Sequence, residues 1–210
     1  MKKALVSLAA LVAVAGAQAA VVTIDGFDTP GVSNTGSFTS TDAVRTVTVN
    51  ATASTSSLDI GSTSSTGSAL EVSNRVGQDS TVNLSWTLGA LSLPSNATNI
   101  GFFLQVLESD GNPTSLDFTL NGAALSSFTI PGNTVGAGLS FSLTSSEWAT
   151  LSAGGTLGLE LNGASGWDLA IDTFGVSYDV PVQAVPEPGS LALVGLALAG
   201  VAVAARRRKA

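Results

Sequence analysis

The sequence predicts an all-β body, a sandwich or barrel, flanked by an N-terminal signal helix and a C-terminal transmembrane helix. Three observations carry this reading. Between positions 20 and 184 the apolar residues recur with period two, as they do on half-buried strands. Gly, Pro, Asn and Asp interrupt that alternation about every eight to twelve residues, the spacing of a sandwich or barrel. Two apolar runs without that alternation, Ala4 to Val14 and Gly189 to Ala205, stand at the ends.

The first run follows Met1-Lys2-Lys3, a positive n-region, and is too short to span a membrane. Ala17-Gln18-Ala19 places small residues at the two positions a signal peptidase requires, so the mature chain is expected to begin at Ala20. The boundaries expected are therefore a signal peptide over 1–19, an ectodomain over 20–184 and a tail over 185–210.

Within the ectodomain, residues 33–68 are rich in Ser, Thr and Gly, with a strand near Val44 to Val49. That region reads either as loose loop or as edge strands with polar faces. Val82, Leu84, Trp86 and Leu88 then alternate with polar residues, which puts Trp86 on the core side of a strand. Ile100 to Leu107 is almost continuously apolar and predicts a central strand covered on both faces. Leu116, Phe118 and Leu120 alternate up to Asn121-Gly122, a pair that accepts the positive φ angles of a type I′ hairpin turn. The returning strand ends at Phe128-Thr129-Ile130 and Pro131-Gly132-Asn133 closes the unit.

Leu139, Phe141 and Leu143 form the next alternation. Thr144-Ser145-Ser146-Glu147 follows with capping-box spacing and predicts one short helical turn through Trp148 and Leu151. Leu157, Leu159 and Leu161 read as another strand. The last one carries Trp167, Leu169 and Ile171 on one face and shifts register after Asp172, so that Phe174, Val176, Tyr178 and Val180 continue it. No Lys guards any of these strands, although Lys is a common device against edge-to-edge pairing.

Composition narrows the chemistry. The chain has no Cys, so disulfides and thiolate chemistry are excluded. It also has no His, which removes the commonest general base and zinc ligand and every Ser-His-Asp arrangement. Between 20 and 184 only Arg45 and Arg75 stand against fourteen acids, a net charge of −12. A surface that acidic repels phosphate, so nucleic acid is not an expected partner. There is no Gly-x-Ser-x-Gly elbow and no phosphate loop, and with fourteen acids some carboxylate pair reaches glycosidase spacing by chance. Catalysis is not expected.

The tail has three parts: Val185-Pro186-Glu187-Pro188, the uncharged run from Gly189 to Ala205, and Arg206-Arg207-Arg208-Lys209. Seventeen helical residues reach roughly 25 Å, slightly short of the hydrocarbon core, so the run spans once and marginally. Gly195 and Ala199 have the small-xxx-small spacing that lets another helix approach. The basic cluster holds the C-terminus on the cytoplasmic side and leaves the ectodomain outside. The prolines keep 186–188 extended and accessible. This layout resembles the PEP-CTERM signal of exported bacterial proteins, which implies an exosortase-type processing enzyme as partner. It also implies passage through the inner membrane, anchorage by the helix until processing, and a final place at the cell surface or in extracellular polysaccharide. The same tail goes by the name of an ice-binding protein C-terminal domain. Thr46-Val47-Thr48 has the Thr-x-Thr form of ice-binding solenoids, but the repeat such a surface needs is missing.

The first and last strands add a second resemblance. Val21-Val22-Thr23-Ile24-Asp25-Gly26-Phe27-Asp28 and Ile171-Asp172-Thr173-Phe174-Gly175-Val176 are similar to the opening and closing strands of jelly-roll carbohydrate-binding modules. That resemblance implies a jelly-roll-like sandwich in which Asp172 shares a Ca²⁺ ion with Asp25 or Asp28, since calcium takes several oxygen ligands. The alternative is that these acids lie in water at strand ends. Trp148 and Trp167, near turns, are the candidate sugar-stacking platforms. Two functional classes stay open: a structural protein of the cell surface or exopolysaccharide matrix, and a lectin-like carbohydrate binder.

Overall fold

A computed structural model describes residues 17–28, 32–42 and 44–181. The signal segment up to position 16, the Pro-Glu-Pro element, the expected transmembrane helix and the basic cluster lie outside the described residues. Among the described residues no helix is long and apolar enough to cross a membrane.

The body is a sandwich of two antiparallel sheets. The first runs β11 (Val135–Ser142), β8 (Thr98–Ser109), β13 (Leu169–Pro181), β6 (Gly67–Ser73), β5 (Ser57–Ser64) and β2 (Val32–Thr35), with β1 (Ala17–Asp25) also paired to β13. The second runs β10 (Ala123–Ile130), β9 (Thr114–Leu120), β12 (Gly155–Gly163), β7 (Ser80–Leu88), β4 (Thr46–Ala51) and β3 (Phe38–Thr41). One helix, α1 (Ser145–Ser152), joins β11 to β12. β1 already begins at Ala17, so a cut between Ala19 and Ala20 would leave Ala20 to Asp25 as the strand.

Alternation becomes burial because successive side chains on a strand point to opposite faces. Val82, Leu84 and Trp86 of β7, Leu116, Phe118 and Leu120 of β9, and Leu157, Leu159 and Leu161 of β12 all lie in the core. Against them β8 and β13 present Phe102, Leu104, Val106, Phe174 and Val176. Phe102 stacks on Phe118 with ring centroids 4.1 Å apart, and Trp86 meets Phe174 at 5.0 Å. Such pairs add about 1 kcal/mol each beyond the area they bury.

Asn121 and Gly122 hold φ 51° and 78°, the two positive values of the expected I′ turn. Asn121 Oδ1 also accepts the Thr156 N–H at 2.9 Å, tying the hairpin to β12. The register of β13 against β8 shifts on both sides of Ile171, where the sequence alternation changes phase.

Two expectations are corrected. β8 is buried on one face only: Phe102, Leu104 and Val106 point into the core, whereas Phe103, Gln105 and Leu107 are half-buried on the outer face. A continuous apolar run cannot by itself distinguish these cases. Residues 33–68 are strands rather than loose loop; β2 and β3 end their sheets, but β5 is internal and its Leu58 and Ile60 are fully buried.

Candidate functional site

A groove of about 760 Å³ lies beside α1. Its walls come from the 91–98 loop, the start of β8, the end of β11 and the first turn of the helix. Local chemistry places each wall. Thr144 is the N-cap: its Oγ1 accepts the Glu147 N–H, and the Glu147 carboxylate accepts the Thr144 N–H at 2.8 Å, the expected capping box. The helix runs two turns rather than one because Leu151 is drawn into the core. The other oxygen of Glu147 accepts both the N–H and the hydroxyl of Ser126, at 2.8 and 2.7 Å, where β10 bulges. The Thr144 and Ser126 hydrogen bonds hold the Glu147 carboxyl down at about 2. The Ser152 carbonyl accepts the Leu91 N–H at 3.0 Å and so pins the loop.

These contacts leave Trp148 half-buried, packed on the core and lining the groove together with Leu91, Leu93, Ile100 and Leu143. The remaining lining is Pro94, Ala97 and hydroxyl or amide side chains, and no lining residue is charged. Asn99 stands at the lip in the left-handed region, φ 51°, and its amide donates to Asp179 Oδ2 at 2.7 Å. A neutral groove with one aromatic surface and several hydroxyls suits a neutral polar ligand. The 91–98 loop carried no signal in the sequence that it would form this wall.

Trp167, the other expected stacking platform, is fully buried. Its indole N–H donates to the Ser80 carbonyl at 3.0 Å and to Asp79 at 3.1 Å, so the ring serves the core and offers no face to a sugar.

The three aspartates proposed for calcium have different surroundings. Asp25 is buried, and its oxygens accept two hydrogen bonds from Arg45 Nη1 (2.8 and 2.6 Å), one from Trp86 Nε1 (2.8 Å) and one from the Phe27 N–H (2.8 Å). Arg45 is itself buried, its guanidinium 5.4 Å from the Phe27 ring centroid. The cation facing Asp25 is thus an arginine. Asp28 is exposed, and Asp172 is half-buried and accepts the Thr173 hydroxyl at 2.9 Å. Among the described residues no group of three or more acids is placed to hold a metal ion.

A smaller hollow of about 220 Å³ between β6, β8 and β13 gathers Glu71, Glu108, Asp110 and Asp168. Burial, with Asp110 and Glu71 nearby, pushes the Asp168 carboxyl up, against the hydrogen bond it accepts from the Asn74 N–H. Burial acts on Glu71 in the same sense, but the hydroxyls of Ser65 and Ser64 outweigh it and hold Glu71 below its ordinary value.

The comparisons with known proteins address the tail first. Residues 184–209 match the PEP-CTERM protein-sorting motif, so the chain carries an export and sorting signal directly after the last strand of its sandwich. No curated protein matches the chain. Among solved structures, one similar chain is TmCBM61 in complex with β-1,4-galactotriose, at 14% identity and TM-score 0.33, covering 51% of this chain and 68% of that one. Another is CBM28, a carbohydrate-binding module specific for non-crystalline cellulose, at 12% identity and TM-score 0.28, covering 62% and 79%. A third is the family 11 xylanase from Neocallimastix patriciarum, at 10% identity and TM-score 0.30, covering 71% and 96%. These likenesses are weak, and no ligand or reaction passes from them to this chain.

Proposed function

We propose that this is a structural protein of the cell surface or extracellular polysaccharide matrix, exported through the inner membrane and processed at its tail by an exosortase-type enzyme. The observation that carries the reading is the PEP-CTERM match over 184–209, which begins three residues beyond the end of β13 at Pro181. The sandwich is the exported body. It is held by a continuous core without disulfides, consistent with a domain that must fold after translocation. Replacing Arg206, Arg207, Arg208 and Lys209 by neutral residues removes the charge that keeps the C-terminus inside. The expected result is unprocessed protein in the medium, and unchanged processing would overturn the sorting role.

A second reading, a lectin-like carbohydrate binder, is favoured by the uncharged groove under Trp148. Its ligand would be a neutral glycan, one ring stacked on the indole and its hydroxyls facing serine and threonine. A glycan array probed with the wild-type chain and with Trp148→Ala tests this. Binding lost in the variant at unchanged melting temperature supports it, and equal binding by both chains excludes the groove.

A further inference from the structure

The charges of this sandwich are distributed inversely to the usual protective pattern. Exposed edge strands commonly carry charged residues because an unpaired row of N–H and C=O groups templates another strand. Here the four strands that end the two sheet paths, β2, β3, β10 and β11, contain no Asp, Glu, Lys or Arg at all. Most strand acids sit on internal strands instead: Asp59 on β5, Glu71 on β6, Glu108 on β8, Asp117 on β9, Glu160 on β12, Asp172 and Asp179 on β13; Asp25 of β1, which pairs with β13, is buried on Arg45.

Three of the four ends are shortened or covered. β2 and β3 have four residues each. β10 bulges between Ala124 and Ser127, and Glu147 of α1 occupies the Ser126 N–H there. β11 is different, pairing without interruption from Ala137 to Ser142 with β8 and with no other described strand.

The direction of its free groups follows from one bond. The Leu143 N–H donates to the Ile100 carbonyl at 2.9 Å, so residue 143 belongs to a hydrogen-bonded pair and the alternation runs back from it. Leu139 and Phe141 therefore turn their amides toward β8. Gly138, Ser140 and Ser142 turn theirs to the open edge. Side chains follow the same alternation: Leu139 and Phe141 pack on the core, and the other three point to the outer face, where β11 itself projects nothing larger than a hydroxymethyl and Phe103 of β8 lies against Gly138.

We propose that β11 is an association edge and that its partner is β11 of a second copy of this chain, antiparallel about a two-fold axis through Ser140. In that register Ser140 meets Ser140 of the other copy and Gly138 meets Ser142, so every outward N–H and C=O of the three residues finds a complement. Leu139 falls opposite Phe141 of the partner on the inner face, and each covers apolar surface that a sheet end leaves half-buried. The edge favours a copy of itself because it is uncharged and self-complementary, and a two-fold interface requires self-complementarity. A strand pair of this length buries less than a standard interface of roughly 1,200 Å² or more, so the dimer is weak and forms where the protein is concentrated. Each body carries a net charge of −12, and salt strengthens the contact by screening that repulsion.

The chain has no Cys, so Ser140→Cys in the full-length protein introduces a single thiol at the two-fold axis. Under mild oxidation this variant is expected to form disulfide-linked dimer severalfold faster than Ser165→Cys, a control in an exposed loop, and the ratio should rise with salt. Ser140→Lys sets two positive charges against each other; it touches no β11 to β8 backbone hydrogen bond and removes only the 3.2 Å contact between the Ser140 and Ser177 hydroxyls. It should abolish the dimer seen by sedimentation while leaving the melting temperature of the monomer in place. Equal cross-linking of the two cysteine variants, or a dimer that survives Ser140→Lys, overturns the proposal.

Discussion

Replacing Arg45 by Met tests the most consequential contact in the core. Among the described residues Arg45 supplies the one positive charge that faces Asp25, by two hydrogen bonds of 2.6 and 2.8 Å from the same nitrogen. Met fills a similar volume along the side chain but leaves a buried carboxylate without a counter-charge, a loss that costs about 3 to 5 kcal/mol. The Trp86 and Phe27 donors remain, each a charge-assisted bond of about 1.5 to 3 kcal/mol, which places the expected cost near the lower end. Against a total stability of about 5 to 15 kcal/mol, even that is a large fraction. The pair is also imperfectly satisfied, since Arg45 Nε and Nη2 have no hydrogen-bond partner and Nη2 lies 3.6 Å from Asp42. Asp25→Asn combined with Arg45→Met should therefore cost less than the sum of the two single changes. Urea denaturation followed by tryptophan fluorescence is the assay, because the Trp86 indole sits on the same carboxylate. A loss below about 1 kcal/mol for Arg45→Met would refute the reasoning. So would a recovery of the variant's stability in calcium but not in magnesium at matched ionic strength, which would make Asp25 a cation ligand.

Phe102→Ala should cost about 3 to 5 kcal/mol by opening a cavity in the aromatic stack, whereas Phe103→Ala, on the outer face, should cost about 1 kcal/mol; denaturant midpoints of the two variants check the order. Glu147 has its folded pKa lowered from 4.5 to about 2, so its stabilisation is present above the unfolded value and is lost as pH falls through 4.5 toward 2. Glu147→Gln should remove that part of the acid slope and cost about 1 kcal/mol at neutral pH, a capping-sized loss because the surface position is screened by solvent. Melting temperatures of wild type and variant across pH 2 to 6 measure it, and parallel curves would contradict the clasp.

Local rules are written in short stretches of chain, and those stretches determined the strands of β7, β9 and β12, the Asn121-Gly122 turn, the capping box at Thr144 and the sorting tail. Each depends on neighbours within a few residues: side-chain direction along a strand, the φ that Asn and Gly tolerate, the reach of a carboxylate back to an amide. What only the tertiary structure decided is which groups from distant segments meet. Asp25 and Asp28 look equally ionic in sequence, yet one is buried on Arg45, twenty residues away, and the other faces water. Trp148 and Trp167 both flank turns, but only Trp148 lines a groove, because the 91–98 loop is anchored to its helix and Trp167 is drawn under β7. Phe102 and Phe103 are adjacent and chemically identical, and the second sheet, whose Phe118 stacks on Phe102, settles which one enters the core. A period-two pattern tells which residues share a face, and the face that is buried depends on the sheet that packs against it.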